Sequence, residues 1–295
     1  MNYYTEIKHK LINNENYSIM KEYSKERYKV KTYFEIGKLL YEAGKHYGEG
    51  ILKSYALRLT KELGKGYTFT SLSRMKKYYL LVEKLATLSQ QLTYGHYVEL
   101  LPLKNIDEIK YYIMITEEKA LSIRELRQKI KSNEYKRLSE ITKKKIVTEE
   151  KITIQDFIKN PIVIKSQNNN LLVTEKDLQN IILEDIPTFL EELGNYFCFI
   201  KNEFKIKIGD RYNYIDLLLY NIEYKCYVII ELKVTELKKE HIGQIEVYMN
   251  YIDNNLKTIN EDKTIGIIIC KKDNHFIMEY CSDPRIISRE YTLKN

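Results

Sequence analysis

Three residues carry charge where the surrounding sequence asks for burial. In the stretch YIDLLLYNIEYKCYVIIELKV, Tyr214 to Val234, Asp216 interrupts one apolar run, and Glu231 and Lys233 close a second. Alternate residues of a strand share a face, so Glu231 and Lys233 point one way and Leu232 the other. The NIEY segment between the runs reads as a hairpin turn, which makes the two strands neighbours and brings Asp216 to the same spot at the sheet edge. Burying such charges without partners is costly. A divalent cation removes that cost. Carboxylate oxygens suit Mg²⁺, which binds through one or two carboxylates, waters and substrate phosphate oxygens. Such an ion polarises a phosphodiester and lowers the pKa of a bound water. Lys233 can orient that water or stabilise charge developing on the phosphate. Burial beside a cation also pushes a lysine pKa down, which opens a base role to it. A plain ion pair, or charges at a sheet end facing solvent, uses the same three residue types, and the D…E-x-K spacing alone does not choose.

The elements that must position these residues follow from periodicity. KKEHIGQIEVYMNYIDNN reads as an amphipathic helix with Ile242, Ile245, Met249 and Ile252 toward the core. Gln244 and Tyr248 lie four residues apart on its polar flank, from which an amide and a phenol reach back over the same spot. Before the charged strands, TEKDLQNIILEDIPTFLEELG reads as one helix, Glu175 to Leu193, with Pro187 predicting a kink or break. YFCFIKNEFKIKI is strand-like, TIGIIIC is a buried strand, and PRIISREYTL ends the chain with another. The expected order is helix, three strands, helix, strand, a short irregular or helical piece, and a final strand, a mixed α/β domain around one sheet.

The first half has helical period instead. YFEIGKLLYEAGKHYG and EGILKSYALRLTKELGKGY each carry an apolar stripe, and Gly64 ends the second. TSLSRMKKYYLLVEKL follows a short KGYTF turn, with Thr70 as the expected N-cap and Leu72, Met75, Tyr79 and Val82 on the buried side. Two helices joined by a short turn have the shape of a helix-turn-helix, and the exposed residues of the second would be Ser71, Ser73, Arg74, Lys76 and Lys77. Any amphipathic helical hairpin has the same outline. The helical reading continues to Ile130. Periodicity is lost in KSNEYKRLSEITKKKIVTEEK, so the expected domains are 1–145 and 146–295. Charge divides in the same way. Residues 1–145 hold 29 Lys and Arg against 17 Asp and Glu, a net of +12; the remainder holds 19 against 24, a net of −5. That asymmetry suggests a polyanion-binding module beside something else, although a solvated lysine-rich surface is the plainer alternative.

Composition excludes several classes. Of 295 residues 44% are hydrophobic, enough for packed cores and against global disorder. Cys198, Cys226, Cys270 and Cys281 form no C-x-x-C pair and read as reduced core thiols of a cytoplasmic chain. The opening MNYYTEIKHK has no apolar segment, so no signal peptide is expected, and no uncharged apolar run approaches the roughly 18 residues of a membrane span. His9, His46, His96, His241 and His275 are too scattered for a zinc motif, although His241 lies near the charged cluster.

The combination YIDLLLY, VIIELK and GQIEVY resembles the PD-(D/E)XK nuclease core with the Q-x-x-x-Y extension seen in several of its branches. YFEIGKLL, RMKKYYL, LTYGHYVELL and SIRELRQKI resemble the N-terminal domain of the YhcG family, in which a winged-helix-like DNA-binding region precedes the nuclease domain. The matches occur in the expected order over nearly the whole chain. The resemblance implies Asp216 and Glu231 as metal ligands, with the backbone carbonyl of Leu232 as a third, Lys233 as the catalytic lysine, and Gln244 and Tyr248 as supporting active-site residues. Many members add a glutamate from the first core helix. Gln179 stands at the aligned place here, with Glu175 and Glu184 nearby.

The expectation is an α+β two-domain protein: an N-terminal all-helical helix-turn-helix module and a C-terminal mixed α/β restriction-endonuclease-like core. Its expected activity is metal-dependent DNA endonuclease, with Mg²⁺ as cofactor, Mn²⁺ as substitute, and no small-molecule cofactor or membrane partner. Enzymes of this type often cut two strands as dimers, which makes a homodimer a further candidate partner. Two rivals stand beside this: a DNA-binding protein on an inactive or weakly active nuclease scaffold, and an interaction protein whose helical half binds other proteins.

Overall fold

The computed structural model describes residues 2–17, 22–64, 66–86, 89, 91–148, 150, 153–166, 174–194 and 196–294. It separates into two compact units, Met1–Tyr135 and Lys136–Asn295.

Among its described residues the first unit is helical throughout: α1 (Tyr3–Tyr17), α2 (Glu22–Tyr47), α3 (Ile51–Leu63), α4 (Phe69–Leu85), α5 (Tyr94–Leu100), α6 (Ile106–Lys119) and α7 (Ile123–Lys131). The apolar stripes dictate the packing. Leu52, Tyr55, Ala56 and Leu59 of α3 are buried at helical spacing, as are Leu72, Met75, Tyr79 and Val82 of α4. Of these, Leu52, Tyr55, Ala56, Leu59, Leu72 and Met75 join Ile36, Leu40 and Ala43 of α2 and Ile7 and Leu11 of α1 in one core. The approach of α2 to α4 is close enough to require glycine. A Cβ on Gly37 would meet the Met75 carbonyl oxygen at 2.2 Å and the Tyr79 Cβ at 2.8 Å. Helix α4 starts earlier than the sequence suggests. Thr68, not Thr70, is its N-cap, in extended backbone, with its hydroxyl accepting from the Ser71 amide at 3.3 Å. Phe69 therefore belongs to the first turn. Lys65 of the preceding KGYTF turn lies outside the described residues.

The aperiodic, charged stretch that suggested a boundary is itself partly helical. A 3₁₀ turn covers Tyr135–Arg137, and α8 spans Glu140–Thr148. Helix α8 is tied into the second unit: the Thr142 hydroxyl donates to the Asp156 carbonyl at 3.2 Å, and Lys145 Nζ lies 2.8 Å from the Asp156 carboxylate. Ion pairs and a hydroxyl hold this helix, so its sequence shows no apolar stripe to read.

The second unit continues with α9 (Ile154–Phe157), β1 (Ile162–Lys165), α10 (Glu175–Glu184), α11 (Ile186–Leu193), β2 (Phe197–Ile208), β3 (Arg211–Asn221), β4 (Cys226–Glu236), α12 (Lys239–Asn255), β5 (Ile265–Lys272), α13 (His275–Glu279) and β6 (Ile286–Lys294). Six strands form one sheet in the order β1-β6-β5-β4-β3-β2. The β2–β3 and β3–β4 pairs are antiparallel, and β4–β5, β5–β6 and β6–β1 are parallel. Helices cover both faces. Leu178, Ile182, Phe189 and Leu193 of α10 and α11 pack with Leu217, Leu219, Val228, Ile230 and Leu232. Ile245, Met249 and Ile252 of α12 pack with Leu218, Ile229 and Ile268 on the other side.

Pro187 breaks the expected helix at Asp185, which ends α10 and caps α11 by accepting from the Thr188 amide at 3.3 Å. Strand β1 is an addition to the expected order, four residues pairing with the end of β6. Only Cys226 and Cys270 are core thiols, and burial pushes each pKa up to about 12. Cys198 is exposed on β2 and Cys281 half-buried, contrary to the core reading of all four; every one is a free thiol. No helix among the described residues is long and apolar enough to cross a membrane.

Candidate active site

The turn after Asn221 makes β3 and β4 antiparallel neighbours, as the NIEY segment suggests, in a ladder from Asn221↔Cys226 to Leu217↔Ile230. Asp216 and Glu231 are the next positions along it. The ladder does not continue there; the Asp216 carboxylate turns inward and its Oδ2 accepts from the Leu232 amide at 2.8 Å. Glu231 is 1% exposed and Lys233 8%, on the face covered by α12. Lys233 Nζ lies 3.5 Å from Glu231 Oε2 and 3.6 Å from Glu175 Oε2.

Helix α12 completes the cluster, because its Ile245–Met249–Ile252 stripe fixes the rotation that turns the Gln244 flank to β4. Gln244 Nε2 donates to Glu231 Oε2 at 3.1 Å and to the Tyr248 hydroxyl at 3.1 Å. Glu231 Oε2 thus takes the Lys233 and Gln244 donors, and the Asp216 backbone amide adds a smaller pull on the carboxylate. Its other oxygen, Oε1, is buried without a hydrogen-bond partner.

Helix α10 contributes from the opposite side. Gln179 is buried, and its amide donates to the Asp216 carbonyl at 2.9 Å while its Oε1 accepts from Lys176 at 3.2 Å. It braces the backbone under Asp216. Glu175, one turn earlier on the same side, carries the carboxylate that meets Lys233. Sequence alone puts Glu175 nearby and gives it no part in the site; its i,i+4 spacing from Gln179 is the signal that links them. His241 caps α12, with Nδ1 accepting from the Lys238 amide at 3.1 Å; burial and then the nearby Lys233 lower its pKa.

The electrostatics are those of a site short of positive charge. Burial, and then the neighbouring Asp216, push the Glu231 pKa up to about 8. Burial also raises that of Asp216, against the pull of the Leu232 amide and Lys233. For Lys233 burial acts downward, but Glu231, Glu175 and Asp216 together outweigh it and the pKa is raised. The downward shift expected beside a cation is absent with protein charges alone, because three carboxylates surround one ammonium.

These residues fit a hard cation. Two carboxylates whose charged forms are disfavoured, one with an orphaned buried oxygen, match the one- or two-carboxylate binding of Mg²⁺. Among the described residues no group of three or more His, Cys, Asp or Glu is placed to hold a metal ion, so an ion here would rest on two carboxylates together with backbone oxygen and water.

The basic residues of the expected helix-turn-helix lie on the first two turns of α4. Arg74 and Lys77 are exposed, and Ser71 and Ser73 partly so. Lys76 is clamped by Glu49, with Nζ 2.6 and 2.8 Å from its oxygens. Lys76, Lys77 and Ser73 border an open groove of about 510 Å³ with Leu52, Phe69 and Leu80 in its lining.

Comparison with known proteins places both units. Residues 6–137 match the DUF1016 N-terminal domain and residues 155–293 the YhcG PDDEXK nuclease domain. The chain is 25% identical over 283 residues to the curated protein YhcG of Escherichia coli (strain K12), covering 81% of this chain and 76% of that one. A repair endonuclease from Pyrococcus abyssi matches at 16% identity and TM-score 0.30, covering 42% of this chain and 49% of its own. EndoMS bound to double-stranded DNA matches at 16% identity and TM-score 0.32, covering 42% and 48%. The chain thus spans about half the length of these solved relatives. The chain carries a DUF1016 N-terminal domain followed by a YhcG PDDEXK nuclease domain.

Proposed function

We propose that the chain is a metal-dependent DNA endonuclease that hydrolyses phosphodiester bonds at the Asp216–Glu231–Lys233 cluster. The observation that supports this most strongly is the orphaned Glu231 Oε1 beside Asp216, in a site whose carboxylates both resist ionisation. Asp216, Glu231 and the Leu232 carbonyl would hold Mg²⁺, with Mn²⁺ as substitute. When bound, the ion supplies Lewis-acid polarisation of the phosphate and an acidified water. Lys233, kept protonated by its carboxylate neighbours, donates to a phosphate oxygen and offsets the charge that builds there during attack. Gln244 holds one Glu231 oxygen and so leaves the other available to a bound ion. Tyr248 fixes the Gln244 amide. The acting compartment is the cytoplasm, and a homodimer is the assembly in which two such sites cut both strands. Incubation with plasmid, linear and branched DNA, with and without Mg²⁺ or Mn²⁺, tests the reading. DNA left intact under all these conditions overturns it.

One observation favours a second reading, DNA binding on a scaffold of low activity: the helix position aligned with a metal-binding glutamate is Gln179, and its amide is spent on the Asp216 backbone. A parent chain that binds DNA but does not cut it selects this reading.

Gln244 is a positioning residue in this scheme. Gln244→Ala is expected to slow single-turnover cleavage about 10-fold and shift the Mg²⁺ midpoint upward, with little change in melting temperature. Tyr248→Phe is expected to be milder than Tyr248→Ala, because the ring still packs. A Gln244→Ala chain with parental rate and Mg²⁺ midpoint returns the pair to simple helix packing.

The first unit is assigned the role of holding DNA through the helix-turn-helix residues Ser71, Ser73, Arg74, Lys76 and Lys77, as the +12 charge of residues 1–145 favours. Exchanging Arg74 and Lys77 for Glu is expected to weaken duplex binding. The slope of log affinity against log salt should flatten by about 1.8, roughly 0.9 for each phosphate no longer neutralised. An unchanged slope leaves this helix pair to a protein partner.

A further inference from the structure

The β2–β3 hairpin parts from the rest of the sheet beyond Leu217, while β4 continues along β5 to Glu236. Strand β3 pairs with β4 only from Leu217 to Asn221, but with β2 out to Arg211. Residues 202–216 therefore form a two-stranded arm rooted at Asp216. One face is apolar: Phe204, Ile206, Ile208 and Ile215 pack in the core that includes α12. The other presents Lys205, Lys207, Tyr212 and Tyr214, all exposed, with Tyr212 at 56% and Tyr214 at 52%. Register pairs Lys205 with Tyr214 and Lys207 with Tyr212. The Lys205 ammonium also lies 3.8 Å from the Tyr212 ring centroid. Arg211 is exposed at the tip.

Lysines on an edge strand have an ordinary use, since they block edge-to-edge pairing. That accounts for Lys205 and Lys207 on β2. It does not account for two large rings on β3 that project from the face and remain half in water. Cations alternating with exposed rings are the surface that takes a nucleic-acid strand, with phosphates on the cations and unpaired bases on the rings. The arm also adjoins the site where β3 and β4 part: on the face away from α12, Glu203 of β2 pairs with Lys176 of α10, and Glu175 of the same helix reaches Lys233. Tyr214 is two residues from Asp216, roughly 7 Å along a strand, and Tyr212 a further ~7 Å.

We propose that this arm holds a single-stranded segment of DNA and leads it to Asp216, Glu231 and Lys233, with Tyr212 and Tyr214 stacking on unpaired bases. The inference rests on the nuclease reading and adds to it a preference for substrates with unpaired strands.

Anisotropy of labelled single-stranded and duplex oligonucleotides, in chelator and over a salt series, tests it with the full chain. Tyr212→Ala with Tyr214→Ala is expected to weaken single-strand binding by at least about 10-fold and duplex binding far less. The salt slope should stay at the parental value. Lys205→Glu with Lys207→Glu should flatten the single-strand slope by about 1.4. Lys225→Glu with Lys263→Glu, at the other end of the β4–β5 pair, is the charge-matched control and should match the parent. Because all four arm side chains are exposed, melting temperatures should be parental; the single Tyr214→Ala chain gives a second reading of the same effect. In Mg²⁺, cleavage of a flapped duplex should fall with the binding. Arm variants that bind and cut like a cleaving parent overturn the arm and leave the nuclease reading intact. Equal weakening on duplex and single strand overturns base stacking. A parent that binds neither and cuts nothing overturns both proposals.

Discussion

Neutralising any one of Asp216, Glu231 or Lys233 is expected to slow DNA cleavage by about 10²- to 10⁴-fold without unfolding the chain. Asp216→Asn keeps an oxygen that can accept from the Leu232 amide, so the local backbone is retained while the carboxylate charge is removed. Glu231→Gln keeps the shape and removes the charge from the orphaned Oε1 position. Lys233→Met keeps the stem and removes the only ammonium seen against Glu231 among the described residues. Each change leaves the apolar layers on both sides of the sheet untouched, so secondary structure and cooperative melting should survive. Single-turnover cleavage at saturating Mg²⁺, beside a thermal melt of each variant, makes the measurement. A parental rate from any of the three removes that residue from the chemistry. A parental rate from all three removes the cluster.

The same site should make stability depend on pH when divalent ions are chelated. The folded-state pKa of Glu231 is raised to about 8, above the ordinary carboxylate value expected in the unfolded chain. The folded chain then binds this proton more tightly than the unfolded one. The resulting stabilisation is full below the unfolded pKa and is lost as pH rises through the window up to about 8. Asp216 is shifted in the same direction and adds to the effect. In chelator the second unit should therefore melt lower at pH 8 than at pH 5. Glu231→Gln, neutral at every pH, should flatten that dependence and raise stability at pH 8 by about 2 kcal/mol. That is less than the full shift implies at about 1.4 kcal/mol per pKa unit, because the amide gives up the charged interaction with Lys233. For a unit of this size it corresponds to roughly 4–8 °C. Added Mg²⁺ should restore the parent at pH 8 and do little for Glu231→Gln. A parent whose melt in chelator is the same at pH 5 and pH 8, or a Glu231→Gln chain less stable than the parent at pH 8, rules out the electrostatic account.

Much of this is legible without coordinates because it depends on local pattern. The two-residue period of IELKV puts Glu231 and Lys233 on one face wherever that strand lies, and NIEY makes its neighbour antiparallel. The 3.6-residue period of HIGQIEVYMNYI fixes which flank of α12 carries Gln244 and Tyr248. The helical stripes of the first unit, the break at Pro187 and the α+β division are local in the same sense. What sequence leaves open needs contacts between distant segments. Strand β1 is four residues long and is a strand only because the end of β6 offers it a ladder. Helix α8 is held by Asp156 rather than by a stripe of its own. The N-cap moves to Thr68 because Thr68, in extended backbone, aims its hydroxyl at the Ser71 amide and so starts the helix at Phe69. Gln179 and Glu175 exchange importance because the rotation of α10 on the sheet presses the amide onto the Asp216 backbone and swings the carboxylate to Lys233. Spacing could say that three charges converge. Only packing, by burying Glu231 and crowding three carboxylates around one lysine, decided that the lysine stays protonated and that one carboxylate oxygen is left without a partner.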